Sequence, residues 1–217
     1  MTTGPTREPI DPVRFLSNYS TGYMGTQLAA AALARRHRVT AICGPVTEPM
    51  PVQVRCVSVE RAYEMERALR RLAPQADVVI MAAAVADFRP VHVQRAKIRR
   101  RGQLTITCEA VPDIIRRLPH RPGQLRVGCG VHTGDAVVKE AKRKLRDKRL
   151  DVLLAQRTDR SGAPFGRRAV EAWILQSNGT VIRLGRRAKS DLARALLDKV
   201  EELCYGQRRP TASHARS

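Results

Sequence analysis

A long loop with two glycines is the first place where the chemistry of this chain could sit. Segment 6–25 reads TREPIDPVRFLSNYSTGYMG and leads into an Ala-rich run of helical period. Gly22 and Gly25 stand at the expected helix start, where backbone N–H groups can approach a phosphate and the helix dipole favours its charge. The alternative is an ordinary tight loop with a Ser or Thr cap, which a G-x-x-G spacing alone fits at least as well.

A second candidate segment follows the most apolar run in the sequence. This segment, 82–90, reads AAAVADFRP. Small residues at the carboxyl end of a strand leave room for a ligand, and Asp87 can accept hydrogen bonds from hydroxyl or amide groups. Asp87 could equally cap a helix or pair with Arg89.

Clustered positive charge supplies a third kind of chemistry. The run 97–100 reads KIRR, and Lys144 and Lys148 are spaced i, i+4, which places both ammonium groups on one face of a helix. Taken singly, such residues are usually solvated surface charges. Taken together, they could neutralise a triphosphate as pyrophosphate leaves.

An open sheet is the element that could bring these segments together. Short Val- and Ile-rich runs alternate with longer segments of helical period, which predicts an α/β fold with a doubly wound, mostly parallel, Rossmann-like sheet. The predicted strands are 38–43, 52–59, 76–84, 104–108, 125–128 and 150–155, and the predicted helices are 21–36, 62–72, 113–118, 135–148 and 189–203. Residues 77–84 are apolar on both faces and should form a central strand, so ligands should gather beyond its carboxyl end.

The sheet is expected to begin and end in unusual ways. Near the C-terminus, 169–175 and 180–184 flank Asn178 and Gly179, which favour a tight turn, so an antiparallel hairpin should extend the sheet. Residues 2–6 read as the loop after a first strand, although almost nothing precedes them. Either that strand is nearly absent, or the chain begins inside a longer protein.

The bulk composition fits one globular domain in a reducing compartment. With 217 residues and 43% hydrophobic content, the chain can bury a sizeable core. Residues 1–205 are expected to form one nucleotide-binding domain, followed by a disordered basic tail at 206–217. The five cysteines are odd in number and lack C-x-x-C spacing, which is typical of reduced thiols. No apolar stretch approaches the roughly 20 residues of a membrane span, so a cytoplasmic location without membrane partners is expected.

The net charge of +20 raises the question of nucleic-acid binding. The positive residues are spread along the chain and aromatic residues make up only 4%, so an anionic small substrate is favoured over a base-stacking platform. The sequence shows no Ser/His/Asp set and no cluster with metal-ligand spacing, so no protein-bound metal site is predicted. The five scattered histidines are expected at surface or structural positions.

Taken in order, these segments resemble the phosphopantothenate–cysteine ligase family, the synthetase half of the bifunctional bacterial flavoprotein of coenzyme A biosynthesis. Residues 6–25 follow the first loop of that family almost residue for residue, which is far more specific than a lone glycine motif. The other matching elements are 82–90, 97–100, 112–114, 121–124, 144–151 and 164–166. The resemblance covers about 2–203.

The resemblance implies a ligation in two steps. The carboxylate of phosphopantothenate attacks the α-phosphate of a nucleoside triphosphate, CTP rather than ATP in most bacteria, and gives an acyl nucleotide and pyrophosphate. The amine of cysteine then displaces the nucleoside monophosphate. Mg²⁺ would accompany the triphosphate, and a homodimer is expected.

The resemblance also implies roles for individual residues. Asn18 would stabilise the acyl nucleotide, Arg14 would bind the substrate's phosphate across a dimer interface, and Lys97 would support attack on the α-phosphate. The substrate-binding residues would be Arg14, Asn18, Ala83, Ala84 and Asp87. The nucleotide-binding residues would be Gly4, Ser20, Gly22, Gly25, Met81, Ala82, Ala83, Asp87, Lys97, Pro112, Asp113, Ile114, Ile115, Cys129, Lys144, Lys148 and Gln156.

The chain departs from the family pattern around the nucleotide. Cys129 stands where the family has an aromatic residue, Gln156 where it has Asn, and Tyr23 where many members have Lys. A degenerate, non-catalytic paralogue that binds nucleotide or nucleic acid therefore stays open. A Rossmann NAD(P)-binding protein also stays open, in which the glycines of 128–134 would cradle a pyrophosphate between a strand and a helix.

Overall fold

The computed structural model describes residues 1–158 and 165–206. The strands of its main sheet are β1 Thr2–Thr3, β4 Thr40–Cys43, β5 Arg55–Ser58, β6 Val78–Met81, β9 Leu125–Thr133, β10 Val152–Thr158, β11 Val170–Gln176 and β12 Val181–Arg187. Two separate antiparallel ribbons pair β2 Arg7–Pro9 with β3 Phe15–Ser17, and β7 Phe88–Pro90 with β8 Cys108–Ala110. The helices are α1 Tyr23–Ala34, α2 Ala62–Leu72, α3 Ile114–Arg117, α4 Val137–Asp147 and α5 Lys189–Gly206, with a 3₁₀ turn at Ala73–Gln75.

The main sheet has the order β12-β11-β10-β9-β6-β1-β4-β5. Pairing is parallel from β5 through β10, and β11 and β12 add an antiparallel edge. The predicted α/β class, with its parallel sheet and C-terminal hairpin, is therefore confirmed. The predicted turn lies between β11 and β12, where Gly179 has a φ of 94° that glycine adopts without steric cost.

Helices cover both faces of the sheet, which explains why its central strands are apolar on both sides. On one face, Leu28 of α1 and Leu192 of α5 pack with Val127 and other sheet residues. On the opposite face, α2, α3 and α4 pack against the sheet, as in the cluster that contains Met65 and Leu153. The sheet is thus doubly wound, and ligands in such folds bind beyond the carboxyl ends of the strands.

The first strand is very short and yet central. Thr2 lies opposite both Ile42 of β4 and Met81 of β6, and the ammonium of Met1 donates a hydrogen bond to the carbonyl of Thr40 at 2.8 Å. Residues 2–6 were predicted as the loop after the first strand, whereas Thr2 and Thr3 themselves form that strand, which is two residues long.

One predicted strand is wrong and several predicted element limits differ from the structure. The strand predicted at 125–128, for example, continues to Thr133 as β9. Residues 104–107 are irregular and mostly exposed, and the strand that follows them pairs only with β7 outside the main sheet. The predicted strand 52–59 begins at Arg55, because Val52 lies in an exposed turn. The disordered tail was predicted to begin at Gly206, but Gly206 is the last residue of helix α5. Residues 207–217 lie outside the described residues. Within the described residues, no helix is both long and apolar enough to cross a membrane.

Candidate functional site

A cavity of about 470 Å³ opens at the carboxyl ends of the central strands. The residues that line it come from the start of α1 and the loop before it, from the loops after β6 and before α3, and from β9, α4, β10 and α5. The lining includes 17 of the predicted site residues: Asn18, Ser20, Gly22, Gly25, Met81, Ala82, Ala83, Ala84, Asp87, Pro112, Asp113, Ile114, Ile115, Cys129, Lys144, Lys148 and Gln156. The structure therefore brings most of the predicted positions to one edge of the sheet.

The glycines at the start of α1 are required by the local packing. Gly22 caps the helix with a φ of 83°, and a Cβ added there would lie 2.5 Å from Cγ1 of Val46. A Cβ on Gly25 would lie 2.0 Å from Oγ1 of Thr3, so the helix crosses directly over β1. The Ser or Thr cap of the tight-loop alternative is not found, because Gly22 caps the helix without a side-chain hydrogen bond. The loop directs the N-terminus of this 12-residue helix at the cavity.

Asn18 is held against the loop that follows β6. Its side-chain nitrogen donates hydrogen bonds to the carbonyl of Ala84 at 3.0 Å and to that of Val85 at 3.1 Å. Both amide protons face the protein, so the plane of the amide is fixed and its oxygen is directed away from these carbonyls. Asn18 therefore couples the first loop to the end of the central strand at the cavity wall.

Lys144 of α4 and Lys148, which caps the C-terminus of that helix, contribute cations to the cavity. Lys148 forms an ion pair with Asp113 at 2.8 Å, and the Asp113 side chain also accepts a hydrogen bond from the backbone nitrogen of Arg116, which caps α3. Burial lowers the pKa of Lys144, and the neighbouring ammonium of Lys148 lowers it further, while Cys129, Asp87 and Asp113 act in the opposite direction. An anion bound beside Lys144 would compensate the cost of burying its charge.

Lys189 is a cavity residue that the sequence analysis missed. It is the first residue of α5, its exposed fraction is 4%, and it lines the cavity. Burial lowers the pKa of its ammonium to about 8. The only sequence signal was a lysine at the start of a predicted helix, which by itself is typical of a solvated surface.

Cys129 lies between lysines that come from opposite faces of the sheet. Burial raises the pKa of its thiol to about 12, although the positive charges of Lys144 and Lys189 act against this rise. Because α4 and α5 cover different faces, the ammonium groups of Lys144 and Lys189 approach the middle of β9, at Cys129, from two sides. This arrangement suits a ligand with several negative charges.

Three predicted site residues do not line the cavity. Arg14 lies in the turn between β2 and β3, where it donates a hydrogen bond to the carbonyl of Ile98 at 3.1 Å and pairs with Asp11 at 3.3 Å. Lys97, the residue before Ile98, is exposed. Gly4 lies in the turn after β1, where an added Cβ would meet Val46 at 2.5 Å.

Three further predictions concern Asp87, the glycines of 128–134 and the element 164–166. Asp87 borders the cavity, whereas Arg89 pairs with Glu109 at 2.8 Å, so the suggested partnership of Asp87 with Arg89 is wrong. The alternative of an NAD(P) site at 128–134 is wrong, because it requires a glycine-rich turn between a strand and a helix. Residues 128–133 are instead part of strand β9. Phe165 and Gly166 line the cavity, while residue 164 of the same element lies outside the described residues.

Residues 1–204 match the family described as the DNA/pantothenate metabolism flavoprotein C-terminal domain. This chain belongs to that family. The resemblance that began with segment 6–25 is thereby confirmed at the level of the family, and the family match spans every strand of the main sheet.

Individual relatives of the flavoprotein C-terminal domain family carry two kinds of name. The chain is 36% identical to a cysteine/cysteine sulfinic acid decarboxylase of an unknown prokaryotic organism, with 93% of the chain and 57% of that protein covered. It is 38% identical to the coenzyme A biosynthesis bifunctional protein CoaBC of Mycobacterium tuberculosis (strain ATCC 25618 / H37Rv), with 95% of the chain and 52% of that protein covered. The chain thus spans about half the length of these curated relatives.

A solved structure of the same family shows the same domain. The crystal structure of the C-terminal domain of CoaBC superposes with a TM-score of 0.79 at 32% identity, and 94% of each chain is covered. The fold described above, with its antiparallel edge, is therefore that of the CoaBC C-terminal domain.

Proposed function

We propose that this chain is a phosphopantothenate–cysteine ligase domain that consumes a nucleoside triphosphate in coenzyme A biosynthesis. The observation that carries the proposal is the single cavity in which the N-terminus of α1, Asn18 and the ammonium groups of Lys144, Lys148 and Lys189 meet. Such a set of donors binds phosphate groups. The relatives named CoaBC support coenzyme A biosynthesis as the setting.

The reaction requires charge neutralisation more than a protein nucleophile. In the first step, a carboxylate oxygen of phosphopantothenate bonds to the α-phosphorus, the bond from that phosphorus to the bridging oxygen breaks, and pyrophosphate leaves. Lys144 and Lys189 would bind the phosphate oxygens on which negative charge accumulates. Asn18, with its amide plane fixed by Ala84 and Val85, would orient the acyl nucleotide.

In the second step, the amine of cysteine attacks the acyl carbon and the nucleoside monophosphate leaves with the oxygen that linked it to the acyl group. The amine loses a proton as the amide forms. The cavity walls would hold both partners and exclude water, which otherwise hydrolyses the acyl nucleotide. No residue of the chain needs to form a covalent bond with the substrate.

Mg²⁺ would enter with the triphosphate and neutralise part of its charge. Among the described residues, no group of three or more His, Cys, Asp or Glu side chains could hold a metal ion by itself. Asp87 borders the cavity and is the carboxylate best located to complete the coordination of an ion bound to phosphate oxygens. CTP is proposed as the preferred nucleotide on the family resemblance, and Cys129 is the residue at which base recognition would differ.

We also propose that the ligase works as a homodimer in the cytoplasm. Arg14 and Lys97 lie off the cavity on the ribbon side of the molecule, where Phe15, Tyr19 and Phe88 are 45%, 86% and 58% exposed. A second copy packed on these apolar side chains would bury them and could bring the two cations to its own cavity. The segment 1–205 would be the ligase domain.

The decarboxylase name of one relative does not favour a second function. The chain covers 57% of that protein, so its name does not tell which part carries the activity. The direct test is to incubate the pure protein with phosphopantothenate, cysteine, Mg²⁺ and each nucleoside triphosphate in turn. Pyrophosphate release that requires the acid is expected, most rapidly with CTP. Nucleotide binding without pyrophosphate release for any nucleotide would identify a non-catalytic paralogue instead.

A further inference from the structure

His132 is a buried side chain beside the cavity for which the proposed reaction has no role. It lies near the end of β9 with an exposed fraction of 7%. Its Nδ1 is 3.3 Å from Oε2 of Glu140 on α4. Within residues 1–158 and 165–206, its Nε2 is the buried side-chain nitrogen that lacks a hydrogen-bond partner, which is costly unless the atom has a use.

The unpartnered Nε2 and the ammonium of Lys144 flank one small space. Alternation along β9 places Gly130 and His132 on the same face, towards α4. A Cβ built on Gly130 would lie 2.9 Å from Nε2 of His132 and 3.1 Å from Nζ of Lys144. The absence of a side chain at Gly130 is therefore what lets the imidazole and the ammonium approach each other at the cavity wall.

The surrounding charges favour one state of the imidazole. Burial lowers the pKa of His132, the hydrogen bond with Glu140 opposes this, and the ammonium of Lys144 lowers the pKa again. Arg157, opposite His132 on β10, is paired with Asp135 at 3.1 Å and with Glu171 at 3.5 Å. A carboxylate can only accept hydrogen bonds, so Glu140 requires the proton on Nδ1 and leaves a lone pair on Nε2.

We propose that His132 is a positioning residue for Lys144. Glu140 holds the neutral imidazole with its proton on Nδ1. The lone pair of Nε2, which has no hydrogen-bond partner among the residues that the structure describes, accepts one hydrogen bond from the Lys144 ammonium when that ammonium binds the anionic ligand. The two remaining N–H groups of the ammonium are then directed at the anionic ligand of the cavity. His132 orients the Lys144 ammonium, which contacts the ligand, but His132 does not contact the ligand. The hydrogen-bond partner of a metal-bound histidine acts in the same way on the metal. The identity of that ligand as a nucleoside triphosphate rests on the proposed function.

The tautomer can be measured on the wild-type protein without any ligand. Nitrogen-15 NMR of uniformly labelled protein at pH 7.5 should show His132 with a protonated Nδ1 and a non-protonated Nε2. Glu140→Gln should disturb this preference, because an amide can also donate to Nδ1. A proton on Nε2 in the wild type would overturn the proposal, whatever the protein binds.

A double-mutant cycle separates positioning from simple packing. His132→Leu should raise the KM for the nucleotide about tenfold, the equivalent of one charge-assisted hydrogen bond, whereas His132→Gln, which retains an acceptor, should raise it no more than about threefold. In a Lys144→Met background, His132→Leu should have almost no further effect on KM. His37→Leu is the matched control. His37 also pairs with a glutamate, Glu201 of α5, at 2.6 Å, and neither residue lines the cavity.

The outcomes distinguish this proposal from the proposed function. An equal loss from His132→Leu with and without Lys144 would show that His132 only supports the fold, and would overturn the positioning role. If the wild type neither binds nor consumes any nucleotide, the ligase proposal fails. The nitrogen-15 measurement still decides the tautomer in that case. If His132→Leu does not fold, His132→Gln and the wild-type spectrum carry the test.

Discussion

The rim of the main sheet and the outer ribbons hold their site residues in different ways. At the rim, Lys144 extends from α4, which packs on the sheet, and Asn18 is held by two hydrogen bonds to the loop after β6. Both residues reach one cavity within a single chain. On the ribbons, Arg14 and Lys97 are attached to short two-stranded pieces whose apolar side chains are exposed. A doubly wound sheet thus completes the part of the site that lies on its edge, whereas the ribbon part would be completed by the second subunit of the proposed homodimer.

Asn18→Asp should produce the largest loss, because Asn18 is the rim residue with the most demanding geometry. The substitution replaces two amide hydrogen bonds, at 3.0 and 3.1 Å, by a carboxylate facing the same two carbonyls. Leaving each of these hydrogen bonds unmade costs about 1–3 kcal/mol, so kcat/KM should fall by roughly two orders of magnitude or more. The rate of pyrophosphate release measures it. Ser17→Ala, which removes the neighbouring hydrogen bond from Ser17 to the Thr6 carbonyl at 2.7 Å, should have a much smaller effect. Equal losses would remove the special role of Asn18.

Lys144→Met tests the cationic side of the rim. The dissociation constant for a nucleoside triphosphate should increase about 10- to 100-fold, since a buried charge-assisted contact is lost. Titration calorimetry measures this, with Lys142→Met as the control because Lys142 is an exposed lysine of the same helix. Similar affinities for the two variants would mean that the cavity does not bind the phosphates.

Mixing two inactive variants tests whether the ribbons act across subunits. Arg14→Ala and Asn18→Asp should each be inactive alone. If the partner subunit supplies Arg14, random exchange of subunits should restore up to about a quarter of the wild-type activity, because half of the dimers then contain one intact site of two. Size-exclusion chromatography with light scattering should show the dimer. Failure to restore activity in an exchanging dimer would place both residues in one subunit's site.

Lys189 should give the smallest effect, visible in the dependence on pH. Its ammonium, with a pKa of about 8, is charged at pH 7 and loses its proton as the pH rises, so affinity for the triphosphate should fall between pH 7 and pH 9. The change should be roughly fivefold, the equivalent of about 1 kcal/mol for one partly solvated charge pair. Lys189→Met should weaken binding at pH 7 and reduce the slope against pH. An unchanged slope in this variant would assign the titration to Lys144 instead.

The sequence predicted the sheet edge better than it predicted the ribbons. Apolar runs such as 77–84 identify central strands because both faces are buried, and the loops that follow them necessarily reach one edge. The alternation of 104–108 also appeared to be a strand, but those residues are mostly exposed and pair with no strand of the main sheet. Local patterns do not reveal whether a half-apolar segment joins the main sheet or a peripheral ribbon.

Two residues of the rim could not be found from their own sequence context. Lys189 is buried because α5 packs beside the end of β9, a contact between segments far apart in the chain. His132 was expected at a surface or structural position, and only the fold brings it beside Glu140, Gly130 and Lys144. Both depend on tertiary placement, whereas the loop 6–25 carries its signal in its own residues.

The central claim is that the cavity at the rim activates a carboxylate as an acyl nucleotide. The most direct measurement uses phosphopantothenate labelled with oxygen-18 in its carboxylate, together with cysteine, Mg²⁺ and CTP, and mass spectrometry of the products. One labelled oxygen should appear in the nucleoside monophosphate and one should remain in the amide product, because the attacking oxygen departs with the nucleotide. Label in inorganic phosphate, or none in any nucleotide or phosphate product, would contradict the account.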